Sequence, residues 1–213
     1  FTKVPLVINY HRWIGAGKDW AGEEKFDSDS KRLLDIACKK GYSLRHDAFG
    51  MREYYGQWER DYVKSWIMKR PVLLEGGWIV SKHPFQLDPS GYKTSRDVRV
   101  GEFEDGKEAH VNMMDFRIGD ETMSWFRDAY PLIEDFISEG GYRLYPNSII
   151  VPQNIKSGSK IKIIHRWLNL GWGYCPTNIP QWNQKYKVAF ALLDKDNQIK
   201  YSYLDSKTDL STW

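Results

Sequence analysis

Cysteine is scarce in this sequence, because Cys38 and Cys175 are the only two among 213 residues. They lie too far apart for the spacing of a zinc site or a CxxC redox motif, and two thiols cannot build a disulfide framework. Whether they pair with each other is left open. His11 and His110 also lack the spaced partners of a metal site, so we expect no bound metal.

Long apolar runs and a large excess of one charge are lacking too. No stretch approaches the ~20 apolar residues that cross a bilayer, so we expect no membrane span. Lys and Arg number 31 against 28 Asp and Glu, and the small excess is scattered, which argues against a nucleic-acid partner. The sequence has no phosphate loop, no GxGxxG fingerprint and no serine nucleophile elbow, and we expect no cofactor.

Aromatic residues, in contrast, are abundant, with 10 Trp, 13 Tyr and 9 Phe. Several tryptophans lie beside glycine or polar residues rather than inside apolar runs, as Trp13, Trp20, Trp78 and Trp172 do. An indole in a polar loop can stack on a flat ligand, and a sugar ring offers an apolar face of that kind. This distribution favours a carbohydrate ligand.

The first 140 residues alternate between short apolar strands and helical segments. Four such strands are predicted, at residues 4–10, 42–47, 71–75 and 109–114. Trp58, Tyr62 and Trp66 fall on one face of the second helix, where we expect them to pack against the sheet. Regular alternation of strand and helix predicts a parallel sheet.

Four strand–helix units make half of an eight-stranded barrel, and an open half would leave apolar edges and faces exposed. We therefore predict that residues 1–140 are the C-terminal half of a (β/α)8 barrel of the TIM type. The N-terminal half would belong to a missing upstream segment or to a neighbouring domain, and the chain would be a fragment of a larger protein. A small open three-layer α/β domain is the alternative.

The pattern changes at Gly140 and Gly141. Four strands without helical periodicity follow, at residues 142–151, 160–168, 188–193 and 199–204. The turn residues 194–197, Asp-Lys-Asp-Asn, join the last two strands in a hairpin. Residues 141–213 are therefore predicted to form an antiparallel β-sandwich, and an incomplete one.

Polar side chains are concentrated where the predicted parallel strands end, which is the functional face of a barrel. The residues assigned to substrate binding are His11, Trp13, Arg45, Asp47, Trp78 and Asn112. The same strand ends also carry Tyr10, Arg12, His46 and Asp115.

Glu75 is the catalytic candidate. It ends an apolar strand and is followed by two glycines and Trp78, so a ligand can approach the backbone and stack on the indole. A carboxylate there could act as a glycosidase nucleophile or hydrogen-bond to sugar hydroxyls. A structural ion pair with Arg45 or Arg12 is the alternative. Asp47 is a possible second carboxylate, or a residue that caps a turn.

Motifs along most of the chain resemble a bacterial domain of unknown function that occurs in uncharacterised glycoside-hydrolase-like proteins. The motifs are LRHDAFG at 44–50, LEGG at 74–77, GYRL at 141–144, LNLGWGYCP at 168–176 and ALLD at 191–194. The resemblance implies a barrel half that runs into a β-sandwich, with Glu75 at the end of the seventh barrel strand. In the large glycosidase clan with this barrel, that position holds the nucleophile, and the acid/base glutamate at strand four would lie upstream.

Together these observations predict a glycoside hydrolase, or a degenerate relative, that acts on a polysaccharide or oligosaccharide. A non-catalytic carbohydrate-binding protein or module is the alternative, with glycan bound at the barrel end or at the loop 171–176. That loop could instead be a core-capping turn packed against the barrel, and a purely structural module is a third class. From the substrate class we expect an extracytoplasmic location: secreted, periplasmic or at the cell surface.

Overall fold

The computed structural model describes residues 4–11, 28–52, 54–77, 91–183 and 185–212. These residues form a mixed α/β structure with one four-stranded parallel sheet and two two-stranded antiparallel sheets. The predicted α/β class, with parallel strands in the first part of the chain and antiparallel strands in the second, is confirmed.

The parallel sheet contains four short strands in chain order. They are β1 (Val7–Asn9), β2 (Ser43–His46), β3 (Val72–Glu75) and β4 (Met113–Asp115). The register pairs Leu44 with Val72 and Leu74 with Met114, so apolar side chains share one face of the sheet. Because side chains alternate along a strand, Arg45 and Glu75 project from the other face.

Five helices accompany this sheet. They are α1 (Ser28–Lys39), α2 (Gln57–Lys64), α3 (Ser95–Glu108), α4 (Asp120–Asp128) and α5 (Tyr130–Glu139). Helix α3 begins with a capping box, in which Thr94 Oγ1 accepts from the backbone N of Asp97 at 3.1 Å. Pro131 lies in the first turn of α5, and it separates α5 from α4 as its missing N–H and fixed φ predict.

The core lies between the apolar face of the sheet and the first two helices. Leu34 and Cys38 of α1 and Val63 of α2 pack there against Leu44 and Leu74. Each such buried aliphatic side chain contributes roughly 1.5–3 kcal/mol relative to exposure. The predicted packing of Trp58 and Trp66 is confirmed, because both are partly buried against this cluster.

The second part of the chain contains two antiparallel pairs of strands. β5 (Leu144–Ile150) pairs with β6 (Ile164–Asn169), and β7 (Val188–Leu193) pairs with β8 (Ile199–Asp205). Asp194 Oδ1 holds the β7–β8 turn by accepting from the backbone N of Asp196 and of Gln198, each at 2.9 Å. The two pairs contact each other through a small cluster that includes Val188, Trp167 and Phe190.

The loop 171–176 joins the two parts of the chain. Trp172 donates from Nε1 to the carbonyl of Val111 at 2.9 Å, and its ring lies 5.6 Å from Phe103 and 5.7 Å from Phe136. The backbone N of Gly173 donates to the carbonyl of Gly141 at 2.6 Å. Of the two interpretations of this loop, the structure therefore shows the core-capping turn.

Both cysteines are buried, free thiols, so they do not pair. Burial raises the pKa of Cys38 to about 11. No helix in the described ranges is both long enough and apolar enough to cross a membrane.

Candidate functional site

Three carboxylates form a row at the carboxyl end of the parallel sheet. The register places Glu75 of β3 beside Asp115 of β4. Arg45 is in register with Leu73, so Asp47, two residues further along, lies beside Glu75 on the other side. Neighbouring strands are ~4.8 Å apart, and all three side chains project from the face opposite the helices. We call Asp47, Glu75 and Asp115 the acid row.

Arg45 bridges the acid row. Its Nε lies 3.0 Å from Asp47 Oδ1, its Nη2 donates to Glu75 Oε2, and its Nη1 is 3.9 Å from Asp115 Oδ2. Burial lowers the pKa of Arg45, but the hydrogen bonds to Asp47 and Glu75 outweigh it and the net shift is upward. The ion pair between Glu75 and Arg45, which the sequence left open, is thus present.

A second arginine contacts Glu75 from the loop after β4. Arg117 Nε lies 3.3 Å from Glu75 Oε1, and the backbone N of Arg117 donates to Asp115 Oδ1 at 2.9 Å. Arg117 has a positive φ of 63°, which is uncommon for a residue other than glycine. Each oxygen of Glu75 therefore faces a guanidinium group, and two cations balance three carboxylates only in part.

The pKa values of the two neighbouring carboxyl groups shift in opposite directions. Burial, followed by a hydrogen bond with Asp47, raises the pKa of Glu75. Burial acts in the same sense on Asp47, but hydrogen bonds with Glu75, Asn9 and Arg45 outweigh it and lower the pKa of Asp47 to about 2. Asn9 contributes through Nδ2, 2.8 Å from Asp47 Oδ2. The pair thus favours a proton on Glu75 and a negative charge on Asp47.

A buried ion pair of α3 fixes the chain directly after Glu75. Arg99 and Glu102 are both fully buried, and Arg99 Nη1 lies 2.6 Å from Glu102 Oε2. Glu102 accepts from the backbone N of Gly77, and Arg99 Nη1 donates to the Gly77 carbonyl at 3.1 Å. A Cβ on Gly77 would lie 2.9 Å from Met51 Cγ, so this close approach requires glycine.

The buried pair was not identified in the sequence. Both residues belong to a segment rich in charged residues, where the usual expectation is a solvated helix face. Burial raises the pKa of Glu102 to about 7, against the opposing effect of Arg99. The only sequence signal was the spacing of three residues, which places the two side chains on one side of a helix.

His11 and His46 belong to an aromatic cluster at the carboxyl edge of the parallel sheet, where His46 lies on the helix side of the sheet, opposite the acid row. The His11 ring stacks on Tyr54, with 5.8 Å between centroids, and lies 4.8 Å from the ring of His46. His46 is fully buried, and its Nδ1 is 2.5 Å from the carbonyl of Asp47. Burial lowers the pKa of His46 to about 3, so this ring is neutral and holds the backbone from which Asp47 projects.

The structure brings together Arg45, Asp47 and Glu75, but it places the His11 ring against His46 and Tyr54 and it places Asn112 elsewhere. Asn112 comes just before β4, at the amino edge of the sheet, where its Nδ2 donates to the Tyr174 carbonyl at 2.7 Å. The predicted strand 109–114 began too early, because α3 continues to Glu108 and His110 adopts a positive φ of 54°. At the carboxyl edge the residue supplied by β4 is Asp115. Trp13 and Trp78, together with Arg12 and Trp20, lie outside the described residues.

Among the residues that the structure describes, no group of three or more His, Cys, Asp or Glu side chains is arranged to hold a metal ion. In the acid row, the space between carboxylates is taken by the Arg45 guanidinium. The polar groups are therefore suited to hydrogen bonding and proton transfer.

Comparison with known proteins finds no matching family model, no matching curated protein and no matching solved structure. The assignment of a function thus depends on the geometry of the acid row.

Proposed function

We propose that the acid row binds a carbohydrate and that the protein is a glycoside hydrolase, or a relative of one, that acts on a polysaccharide or oligosaccharide outside the cytoplasm. The observation that carries the proposal is the pair of neighbouring carboxyl groups with opposite pKa shifts, Glu75 upward and Asp47 downward. Glycoside hydrolysis uses one protonated and one ionised carboxyl group beside the scissile bond.

The order of the strands supports the finer assignment of residues 1–140 to a half-barrel. The four described strands of the sheet follow one another in chain order, whereas a doubly wound sheet reverses its order at a switch point. In a barrel, the face at the carboxyl ends of the strands carries the active site, and the acid row lies at that edge.

Exposed apolar side chains support closure of the sheet by further strand–helix units. Val7 and Met113, on the face that a barrel would enclose, are 45% and 47% exposed. Beyond β4, Ile118, Met123 and Phe126 are 80%, 56% and 48% exposed. An upstream barrel half or a neighbouring domain would cover these surfaces, and the antiparallel part would be the sandwich that follows.

The charges of the pair suggest roles within the hydrolysis. Glu75, with the raised pKa, would donate a proton to the glycosidic oxygen, and Asp47 would be the ionised group that attacks the anomeric carbon or activates water. This reverses the nucleophile role that the resemblance gave to Glu75. Adjacent strands at ~4.8 Å permit the ~5 Å carboxyl separation of retaining enzymes.

A carbohydrate-binding protein without hydrolytic activity is the second candidate, and one observation favours it. Each oxygen of Glu75 already contacts a guanidinium, from Arg45 and from Arg117. A substrate would have to displace one of these contacts before Glu75 could transfer a proton. Sugar hydroxyls, in contrast, could hydrogen-bond to the row as it stands.

The test compares wild type with Glu75→Gln on xylo-, cello-, chito- and malto-oligosaccharides, by release of reducing ends and by titration calorimetry. We expect Glu75→Gln to lose turnover and keep the fold. Glu108→Gln is the control, because Glu108 ends α3 and pairs with Arg60, away from the acid row. Binding without release would select the second candidate, and the absence of both would reject the proposal.

A further inference from the structure

The antiparallel part of the chain contains a cavity of about 750 Å³ that the acid row does not reach. It lies between the β5–β6 pair and the β7–β8 pair, and we call it the hairpin cleft. Its apolar lining consists of Val151, Ile161, Ile163, Phe190, Ala191, Leu192, Tyr201 and Tyr203. Sites for small molecules commonly have ~300–1,000 Å³ and a mostly apolar lining, so the hairpin cleft has the size and character of a ligand site.

The hairpin cleft is closed at one end and open at the other. At the closed end, the His165 ring lies 5.1 Å from Phe190, and His165 Nε2 is 3.3 Å from Asp205 Oδ2. The register of β7 with β8 places Phe190 opposite Tyr203 and Leu192 opposite Tyr201 on the same face. Asp205 is 8% exposed and Tyr201 is 61% exposed, so the wall opens to solvent along β8.

Two lysines give the lining of the hairpin cleft a positive charge. Lys160 and Lys162 line the hairpin cleft and are both exposed. Within the described part of the chain neither lysine has an ion-pair partner, whereas Lys200 nearby pairs with Asp194 at 2.9 Å. At the closed end, the charge of Asp205 is met by His165 and by the hydroxyl of Thr208. The charge available to a ligand is therefore positive.

We propose that the hairpin cleft binds a medium-chain alkyl carboxylate, with the alkyl chain between the apolar walls and the carboxylate at Lys160 and Lys162. The wall from Asp205 to Tyr201 spans four residues, or ~13 Å of strand, which is long enough to cover an extended alkyl chain. Ile161, Ile163, Ala191 and Leu192 offer no side-chain hydrogen bonds, so sugar hydroxyls would lose water against this aliphatic part of the wall, whereas an alkyl chain would not. The proposal does not depend on the function of the acid row.

The first experiment is calorimetric titration of the protein with decanoate, with acetate and decanamide as ligand controls. Decanoate is expected to bind saturably, and acetate and decanamide at least tenfold more weakly, because each lacks one half of the interaction. The charge variant Lys160→Glu/Lys162→Glu is expected to weaken decanoate binding at least tenfold. Lys195→Glu/Lys207→Glu is the matched control, because these exposed lysines do not line the hairpin cleft, and it should bind as wild type does.

A second pair of variants tests the apolar wall. Leu192 lines the hairpin cleft and is 59% exposed, whereas its neighbour Leu193 is 55% exposed and does not line it. Leu192→Asp is expected to weaken decanoate binding at least tenfold and Leu193→Asp to leave it unchanged, and both changes fall on exposed side chains that the fold tolerates. The proposal would be overturned if wild type did not bind decanoate saturably. It would also be overturned if decanamide bound as tightly as decanoate, or if the two leucine variants weakened binding equally. So would light scattering that shows a dimer in the wild type and a monomer in Leu192→Asp.

Discussion

Asp47 and Glu75 lie side by side at the carboxyl edge of neighbouring strands, and their pKa values shift in opposite directions. Burial and then the hydrogen bond with Asp47 raise the pKa of Glu75, whereas hydrogen bonds with Glu75, Asn9 and Arg45 outweigh burial and lower the pKa of Asp47. Arg45 contacts both groups, which keeps them together although their charges would repel if both were ionised. The pair therefore has the difference in pKa on which the proposed catalysis depends.

Removing the indole of Trp172 is expected to destabilise the protein. The ring packs between Phe103 and Phe136, and its Nε1 donates to the Val111 carbonyl. Trp172→Ala should lower the unfolding free energy by about 3 kcal/mol, and Trp172→Phe by less, because phenylalanine loses mainly the hydrogen bond. Urea denaturation measures both.

Leu170→Ala is the control for this loop, because Leu170 is 59% exposed and lies two residues away. Its expected effect is within about 0.5 kcal/mol. Equal effects of Trp172→Ala and Leu170→Ala would mean that the loop does not join the two parts of the chain.

Buried Glu59 should make the protein less stable at alkaline pH. Burial raises the pKa of Glu59 to about 8, while its Oε2 accepts from the backbone N of Gly56 at 3.0 Å. A carboxyl group with a raised pKa stabilises the fold fully below its unfolded pKa of about 4.5, and this contribution is lost as the pH rises through 8. Glu59→Gln keeps the acceptor and cannot ionise, so it should exceed wild type in unfolding free energy by roughly 1–3 kcal/mol at pH 9.

The control for Glu59 is Glu108→Gln. A hydrogen bond from Arg60 lowers the pKa of Glu108, so its contribution is present above its unfolded pKa and is lost only as the pH falls. Glu108→Gln should gain no stability at pH 9. If the unfolding free energies of wild type and Glu59→Gln stayed parallel from pH 5 to 9, Glu59 would not be a buried neutral acid.

Breaking the buried pair of Arg99 and Glu102 should lower the unfolding free energy more than neutralising both residues does. Arg99→Met leaves Glu102 without its cation and should cost about 3–5 kcal/mol in unfolding free energy. Adding Glu102→Gln removes the charge and keeps an acceptor for the backbone N of Gly77, so the double variant should recover part of this loss. Thermal and urea unfolding measure the series.

Arg96→Met is the matched control, because Arg96 is on the same helix and donates to the Asp128 carbonyl from an exposed position. Its expected cost is below about 1 kcal/mol. A cost of Arg99→Met no larger than this would show that the ion pair does not hold the turn after Glu75.

The parallel strands were predictable because strands that are buried on both faces consist of short, continuous apolar runs in the sequence. The same signal failed at the fourth strand, where Ala109 and Val111 are buried but lie between α3 and β4. Hydrophobicity reports burial and cannot separate a buried connection from a strand. This is why Asn112 was assigned to the wrong edge of the sheet, whereas Asp115 lies at the edge expected for it.

Part of the candidate site was predictable for a related reason. Once strands are parallel, their carboxyl ends share one edge, and Arg45, Asp47 and Glu75 were found together there. The contact of Arg117 with Glu75 was not predictable, because Arg117 lies in the loop after β4 and its backbone adopts a positive φ that the sequence does not indicate. Burial of Arg99 and Glu102 arises from tertiary packing. A charged helical segment alone does not indicate which of its side chains will be buried.

The central claim is that the pKa of Glu75 is raised beside an Asp47 whose pKa is lowered, and the most direct measurement is a carboxyl-carbon NMR titration of wild type and Asp47→Asn. In wild type, Glu75 should titrate above its usual 4.5 and Asp47 near 2. In Asp47→Asn the pKa of Glu75 should fall, because a neighbouring negative charge and hydrogen-bond acceptor are gone while Arg45 and Arg117 stay. A Glu75 that titrates below 4.5 in wild type and does not respond to Asp47→Asn would contradict the account and leave a structural ion-pair network.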